Sequence, residues 1–231
     1  MKKIGLIGGM SWESTTLYFQ WINREVQKRL GGLHSAKTLI NSVDFAEIEL
    51  MQRNGEWEKA GHYLAEVAGE LEKGGADCVV LCTNTMHKLA KEIEANIKIP
   101  FIHIADATAD EILNAGIESV LLLGTAFTME QDFYKSRLQQ RGIEVMIPHD
   151  EDRKKVHDII YQELCLGVVN EISKATYCDI VEKAINAGAQ GVILGCTEIT
   201  MLIGDVEFTV PTFDTTLIHA MSAVNFALDN E

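Results

Sequence analysis

The sequence has few basic residues and no long apolar run. Lys and Arg number 20 against 34 Asp and Glu, so the 231-residue chain has a formal net charge of −14. Because nucleic acids and anionic membranes bind basic surfaces, we expect neither as a partner. The apolar stretches, such as residues 120–123, fall well below the ~20 residues that a membrane-spanning helix needs. The composition is that of a soluble globular protein.

Signatures of common cofactors are also missing. The glycines within residues 5–9 do not fit Gly-x-Gly-x-x-Gly, and Asp44 follows Gly9 much later than the ~20 residues typical of a nicotinamide-binding unit. The chain has no phosphate-binding loop signature, and no Cys-x-x-Cys or His-x-x-x-His spacing that would indicate a metal site. We therefore expect no nucleotide cofactor and no metal.

Five cysteines without close pairing indicate the compartment. In a chain of this length they are expected to be reduced thiols, as in a cytoplasm. Residues 1–9 imitate a signal peptide, with basic residues before a short apolar run, but no small-residue cleavage site follows. We interpret this segment as a first strand and predict a cytoplasmic protein.

Short apolar runs alternate with longer segments of helical periodicity. In the first half, the pattern predicts strand 4–7, helix 15–30, strand 37–45, helix 57–71, strand 78–82, helix 85–95 and strand 100–104. Such alternation is typical of a parallel sheet that is covered by helices on both faces.

The second half repeats this plan. Residues 188–197 echo residues 75–83, and Pro211 echoes Pro100, at offsets between 111 and 114 residues. The predicted fold is α/β, with two similar parallel-sheet lobes related by a pseudo-twofold axis and an active site between them. We place the first lobe at residues 1–115 and the second at 116–231, and a C-terminal helix is free to pack back on the first lobe.

Two cysteines follow strands at matched positions of this repeat, Cys82 and Cys196. In parallel α/β sheets ligands bind beyond the carboxyl ends of the strands. A helix is predicted after each cysteine, and its N–H groups and dipole are expected to favour a thiolate. A single cysteine at a strand end is more often a small core residue. Two at matched positions favour instead a reaction that needs a base on one face of a carbon and an acid on the other.

Three motifs carry a resemblance to a known family: GLIGGMS at residues 5–11, CTNTMH at 82–87 and GCTE at 195–198. Over essentially its whole length the chain resembles the aspartate/glutamate racemase superfamily, and most of all the bacterial broad-specificity aspartate/glutamate racemases. The resemblance implies a two-domain α/β fold, a homodimer and catalysis without pyridoxal phosphate. It also implies a two-base mechanism by Cys82 and Cys196, in which converting either cysteine to Ala abolishes racemisation.

Residues of the same loops are candidates for binding an amino-acid substrate. They are Met10, Ser11, Thr83, Asn84, Thr85, Thr125, Thr197 and Glu198. Ser, Thr and Asn at such places also serve as helix caps, a role compatible with ligand binding. Glu198 is predicted to hold the substrate ammonium or to orient a neighbouring thiol. His87, after the Cys82 loop, is expected to be a surface or capping residue.

One departure from the family bears on specificity. Its aspartate racemases often have an Arg after the second strand and a Lys before a Gly in the second lobe, as anchors for the side-chain carboxylate. Here Gln52 and Leu166 stand at the corresponding places. Gln52 joins the binding candidates, and aspartate, glutamate and homoserine all stay open as substrates. This interpretation fails if Arg53 rather than Gln52 points inward.

Other functions remain open at this point. A maleate-type isomerase, a hydantoin racemase or a decarboxylase of the same superfamily uses similar cysteine positions. A non-catalytic amino-acid-binding module has no need of paired thiols. Because the decarboxylases tend to keep only one of the two cysteines, the presence of both favours racemisation.

Overall fold

A computed structural model describes residues 1–229 and divides them into two compact units. Unit 1 contains Met1–Ile104 together with the segment that begins at His219, and unit 2 contains Ala105–Ile218. The division expected at residues 115 and 116 falls just after the helix Ile104–Asn114, nearly all of which belongs to unit 2. Each unit holds its own sheet and core.

Unit 1 is built on a four-stranded parallel sheet. Its strands are β1 (Ile4–Gly8), β2 (Thr38–Ser42), β3 (Cys78–Leu81) and β4 (Phe101–Ile102), in the order β2-β1-β3-β4. Its helices are α1 (Trp12–Leu30), α2 (Phe45–Asn54), α3 (Trp57–Lys73), a 3-10 helix (Thr85–Leu89) and α4 (Ala90–Asn96). The strands β1 and β3 are buried throughout, as central strands covered on both faces should be.

Unit 2 repeats the same strand order, β6-β5-β7-β8, in a second parallel sheet. The strands are β5 (Ser119–Gly124), β6 (Glu144–Met146), β7 (Val192–Gly195) and β8 (Thr212–Asp214). The helices are α5 (Ile104–Asn114), α6 (Ala126–Glu130), α7 (Asp132–Gln140), α8 (Asp150–Gln162), a 3-10 helix (Leu164–Leu166), α9 (Glu171–Asn186) and α10 (Thr197–Ile203). Two similar parallel α/β sheets confirm the predicted fold class.

The sheet of unit 1 separates two apolar clusters because strand side chains alternate between faces. Cys78, Val80 and Cys82 share one cluster with side chains of α1 and of a last helix, α11 (Thr215–Leu228). Val79 and Leu81 belong to the other cluster, with side chains of α2 and α3. Each fully buried aliphatic side chain contributes about 1.5–3 kcal/mol of transfer free energy. Because its side chains belong to the first of these clusters, α11 is part of the core of unit 1 from His219 onward.

The largest described apolar cluster of unit 2 lies on one face of β5 and β7. Val192 and Leu194 of β7 pack there with Val156 of α8, Tyr177 of α9 and Ile199 of α10. Cys196 follows Leu194 on the same face and is partly buried against this cluster. The core of unit 2 therefore extends up to the thiol that the sequence singles out.

The long helix α1 illustrates how local sequence sets an element. Ser11 caps its first turn by accepting a hydrogen bond from the Ser14 N–H, and Gly31 ends it with φ near 76°. Its buried apolar residues Tyr18, Ile22 and Val26 recur at helical spacing. Among residues 1–229 no helix combines the length and hydropathy needed to cross a membrane.

Candidate active site

Unit 1 brings two predicted loops together at the carboxyl ends of β1 and β3. These strands are neighbours, with Ile7 opposite Leu81, so the chain leaves both at the same edge of the sheet. The Ser14 hydroxyl donates to the Cys82 carbonyl over 3.1 Å and joins the start of α1 to the end of β3. This edge is where parallel α/β sheets bind ligands.

Cys82 lies in the core and not on this edge. Its side chain is 0% exposed and packs on the same face as Cys78 and Val80. Burial raises the pKa of the Cys82 thiol well above its usual range. The helix expected over residues 85–95 is present as a short 3-10 helix, Thr85–Leu89, followed by α4, Ala90–Asn96. The expectation that this cysteine is held as a thiolate is therefore wrong, because its environment disfavours the charged form.

Cys196 lies directly after β7, where α10 begins. The thiol donates a hydrogen bond to Oε2 of Glu198, with 2.9 Å between sulfur and oxygen. Burial, and then the negative charge of Glu198, raise the pKa of Cys196 well above its usual value. The expected thiolate is thus wrong here too, because burial and the neighbouring Glu198 carboxylate favour the thiol form of Cys196.

Backbone register decides which residues of the two sheets correspond. In unit 1 the Val79 N–H donates to the Pro100 carbonyl over 2.9 Å, and in unit 2 the Val192 N–H donates to the Pro211 carbonyl over 3.0 Å. Val79 lies opposite Gly5 in β1, and Val192 lies opposite Leu121 in β5. Val79 and Val192 therefore occupy the same position of the repeated sheet.

Counting from these valines to the strand ends pairs Cys82 with Gly195 and Thr83 with Cys196. The expectation that Cys82 and Cys196 occupy matched positions is wrong by one residue. Thr83 is half-buried, as is Cys196, whereas Cys82 is fully buried. The structural counterpart of the Cys196 thiol in unit 1 is therefore the Thr83 hydroxyl.

The remaining candidates of unit 1 are mostly buried near this edge. Met10, Asn84 and Thr85 are buried, and Ser11 is the cap of α1. Gln52 is buried on α2 and its amide donates to the sulfur of Met86 over 2.7 Å. Met86 is a neighbour that the sequence did not single out.

The orientation of α2 settles which of two adjacent polar side chains points inward. Arg53 is exposed and pairs with Glu49 at 3.7 Å on the helix surface, whereas Gln52 is buried. Gln52, and not Arg53, therefore points inward, as the interpretation of the sequence required. In unit 2, Leu166 ends the 3-10 helix after α8 and is 72% exposed.

The candidates of unit 2 follow β5 and β7, which are adjacent strands. Thr125 caps α6 by accepting from the Thr128 N–H. The Thr197 hydroxyl lies 3.2 Å from that of Thr216, and both residues are buried. Thr216 was missed by sequence reasoning, because its segment carries no motif. Thr125 has a capping role compatible with binding, as expected.

Of the two roles expected for His87, surface residue or capping residue, the first is wrong. It is 1% exposed, with its ring centre 4.6 Å from that of His103 and 5.5 Å from that of His219. Burial lowers the pKa of His219 to about 4, so this ring is neutral at physiological pH. The His87 ring contacts the backbone carbonyl of Thr83, four residues earlier in the chain. That spacing was the available signal in the sequence for a local contact.

The chain matches the model of the family described as Asp/Glu/hydantoin racemase over residues 7–223. It belongs to that family. Among curated proteins, this family member is 25% identical over 232 residues to the broad-specificity amino-acid racemase RacX of Bacillus subtilis, an alignment that covers 96% of each chain.

Solved structures agree with this assignment. A candidate Asp/Glu racemase of Yersinia pestis is 52% identical, with a TM-score of 0.95 over 99% of this chain and 100% of the other. An aspartate racemase homologue of Pyrococcus horikoshii is 35% identical, with a TM-score of 0.85 over 99% and 100%. Glutamate racemase from Aquifex pyrophilus, at 19% identity and a TM-score of 0.65 over 97% and 83%, shares the fold.

The chemistry available to this racemase-family chain is that of proton transfer. Unit 2 supplies a thiol hydrogen-bonded to a carboxylate, and unit 1 supplies hydroxyl and amide groups after β3. Within residues 1–229 no cluster of three or more His, Cys, Asp or Glu side chains is arranged to hold a metal ion.

Proposed function

We propose that the protein is an amino-acid racemase that works without a cofactor and interconverts the L and D forms of aspartate, glutamate or a related amino acid. The observation that carries the proposal is the Cys196–Glu198 pair at the end of β7, in a chain of the Asp/Glu/hydantoin racemase family. The name of the Bacillus subtilis relative, a broad-specificity amino-acid racemase, supports the same reaction class.

In this mechanism Cys196 exchanges a proton with the substrate Cα. The thiolate takes the Cα proton, so that an S–H bond forms and the C–H electron pair moves onto the substrate carboxylate. Such a carbon acid is very weak, and its ionisation needs close positioning and stabilisation of the developing charge. In the reverse direction the Cys196 thiol, the form that burial and Glu198 favour, returns the proton to the carbon.

Glu198 gives the substrate a means of activating this thiol. Its carboxylate accepts the Cys196 hydrogen bond and raises the pKa of the thiol. An amino-acid ammonium bound beside Glu198 offsets that negative charge and makes the thiolate more accessible. Binding of substrate and formation of the base are thereby linked.

Racemisation also needs a group on the opposite face of the carbon. In the two-base mechanism that the family resemblance implies, Cys82 has this role. Its burial in the core of unit 1 speaks against that assignment. We propose instead that the Thr83 hydroxyl, the counterpart of Cys196, delivers a proton to that face. Water then reprotonates the Thr83 oxygen, and the hydroxide so formed takes the proton that Cys196 gained, which restores the thiolate. Asn84, Thr85 and Ser11 then serve as donors to the substrate carboxylate, together with Thr125 and Thr197.

The side chain of the substrate is proposed to meet neutral groups. Gln52 is buried with its amide on the Met86 sulfur, and Leu166 carries no charge. Neither is a cation that would select an acidic side chain, so we propose a broad preference that includes aspartate, glutamate and homoserine. We further propose that the protein is cytoplasmic and acts as a homodimer, which sedimentation analysis of the purified chain would test.

The test is incubation with L-aspartate, L-glutamate or L-homoserine in D₂O, with EDTA and no added cofactor. NMR follows loss of the Cα proton signal and chiral chromatography follows the D form. We expect exchange together with D product for at least one of the three. Neither exchange nor product with any of them would contradict the proposal and favour a binding module, which a shift in melting temperature with amino acids would detect.

A further inference from the structure

The ring of His87 joins two backbone segments of unit 1. Its Nδ1 lies 2.7 Å from the Thr83 carbonyl oxygen, and its Nε2 lies 3.2 Å from the Ile104 backbone nitrogen. A backbone N–H can only donate, so Nε2 accepts from Ile104. The proton of the neutral imidazole must then be on Nδ1, which donates to Thr83. The structure thus specifies both the tautomer and the direction of each hydrogen bond.

The environment of this ring keeps it in place. His87 packs against Phe101 and His103, with ring centres 5.5 Å and 4.6 Å away, and is buried. A third neighbouring ring is that of His219, which contacts the Ile102 carbonyl over 2.7 Å and the Tyr18 hydroxyl over 2.8 Å. A buried ring with two backbone partners has little freedom to turn.

In unit 2 the corresponding backbone carbonyl receives its hydrogen bond from a different kind of donor. The carbonyl of Cys196, the counterpart of Thr83, accepts from the Ile199 backbone N–H over 3.1 Å as α10 begins. In unit 1 the helix after β3 starts later, with Thr85, and the Thr83 carbonyl receives its donor from the His87 side chain. A side chain therefore replaces, in unit 1, a backbone contact of the first helical turn in unit 2.

We propose that His87 is a positioning residue: by donating from Nδ1 to the Thr83 carbonyl it fixes the loop 83–85 in the orientation that racemisation needs. This inference rests on the proposed function, because it matters only if that loop acts on substrate. Misplacement of a reacting group by about 1 Å can cost 10²-fold in rate. The hydrogen bond to Thr83, and not the one from Ile104, is the functional half of the contact.

Two substitutions separate the halves. The amide of Asn in His87→Asn lies where Nδ1 lies and can still donate to Thr83, whereas the amide of Gln in His87→Gln reaches the Nε2 position and can still accept from Ile104. We expect His87→Gln to lower kcat about 10²-fold with a smaller change in KM, and His87→Asn to lower it less than about tenfold. A kcat for His87→Asn that exceeds that of His87→Gln by less than about tenfold would overturn the proposal.

His219→Gln is the matched control for packing. It alters a buried histidine of the same cluster that contacts Ile102 and Tyr18 and not the loop 83–85. We expect it to lower the melting temperature while kcat stays within a few-fold of wild type. A loss of kcat as large as that of His87→Gln would mean that the cluster acts only through stability, and would overturn the positioning role.

A measurement on the unaltered protein keeps the inference testable even if the variants fold poorly. Long-range ¹H–¹⁵N correlation spectra report which ring nitrogen of His87 carries the proton. Protonation at Nδ1 alone supports the contact with Thr83, and protonation at Nε2 alone or at both nitrogens would overturn it. Absence of wild-type turnover would contradict the proposed function separately, since the tautomer is read without substrate.

Discussion

The two units share one backbone plan and differ in the chemistry placed on it. Both sheets have the same strand order, and β3 and β7 are in the same register with their neighbours. Yet the position after Gly195 in unit 2 is a cysteine paired with Glu198, and the matching position in unit 1 is Thr83, whose carbonyl accepts a hydrogen bond from His87. A repeated fold thus fixes where a group is presented without fixing which group it is.

The preceding position, Cys82 in unit 1 and Gly195 in unit 2, also differs between the two units. Gly195 is so close to the Leu123 carbonyl that a Cβ there would lie 2.5 Å from its oxygen. At the matching place in unit 1, Cys82 fits its side chain into the core beside Cys78 and Val80. Cys82 is therefore a core residue. At its counterpart in unit 2, Gly195, there is no room for any side chain.

The largest effect expected from this comparison is at Cys196. Replacing it with Ala removes the proposed acid and base, and we expect racemisation to fall by about 10³-fold or more. Chiral chromatography of the product measures the rate, and circular dichroism checks the fold. Turnover within tenfold of wild type would show that the thiol of unit 2 is not the proton carrier.

A smaller loss is expected at the counterpart in unit 1. Thr83→Ala removes the hydroxyl, and we expect about a 10²-fold lower rate because general acid catalysis typically contributes 10²–10⁴-fold. Thr83→Ser keeps the hydroxyl and is the control, with a rate close to wild type. Equal rates for the Ala and Ser variants would contradict a role for this hydroxyl.

Glu198→Gln tests how the charge of Glu198 affects the pKa of the Cys196 thiol. The negative charge of Glu198 raises the pKa of Cys196, so its removal lowers that pKa and increases the thiolate fraction at neutral pH. We expect faster alkylation of Cys196 by iodoacetamide, read by peptide mass spectrometry. KM is expected to rise about tenfold, because a charged contact to the substrate ammonium is lost.

Glu198→Asp keeps the charge and is the control for this pair of effects. Alkylation of Cys196 in the Asp variant should stay near that of wild type. Slower alkylation in the Gln variant than in wild type would contradict the direction of the pKa argument.

The smallest effect concerns stability alone. Tyr18→Phe removes the hydrogen bond to His219 in unit 1, and we expect the free energy of unfolding to fall by about 1 kcal/mol. Tyr134→Phe in unit 2 is the matched variant, since its hydroxyl contacts Thr108 at a longer 3.3 Å. Urea titration should give the smaller loss for Tyr134→Phe, and racemisation should be unchanged in both variants. A larger loss in unit 2 would contradict this ranking.

Sequence reasoning succeeded where periodicity carries the information. Alternating apolar runs predicted the parallel sheets, and helical spacing predicted α1 and α3 nearly to their ends. It failed where one residue of register decides, because Cys-Thr occurs after both central strands but at positions that differ by one. It also missed the burial of His87, because the pattern of the predicted helix 85–95 carries no sign that its first turn is a buried 3-10 helix.

Racemisation by the Cys82→Ala variant tests the central claim most directly. Our account predicts turnover within a few-fold of wild type, with some loss of stability from the cavity left in the core of unit 1. The measurement compares initial rates of the two proteins on the same amino acid, at a temperature where both are folded. A loss comparable to that of Cys196→Ala would contradict the account and restore Cys82 as the second acid or base.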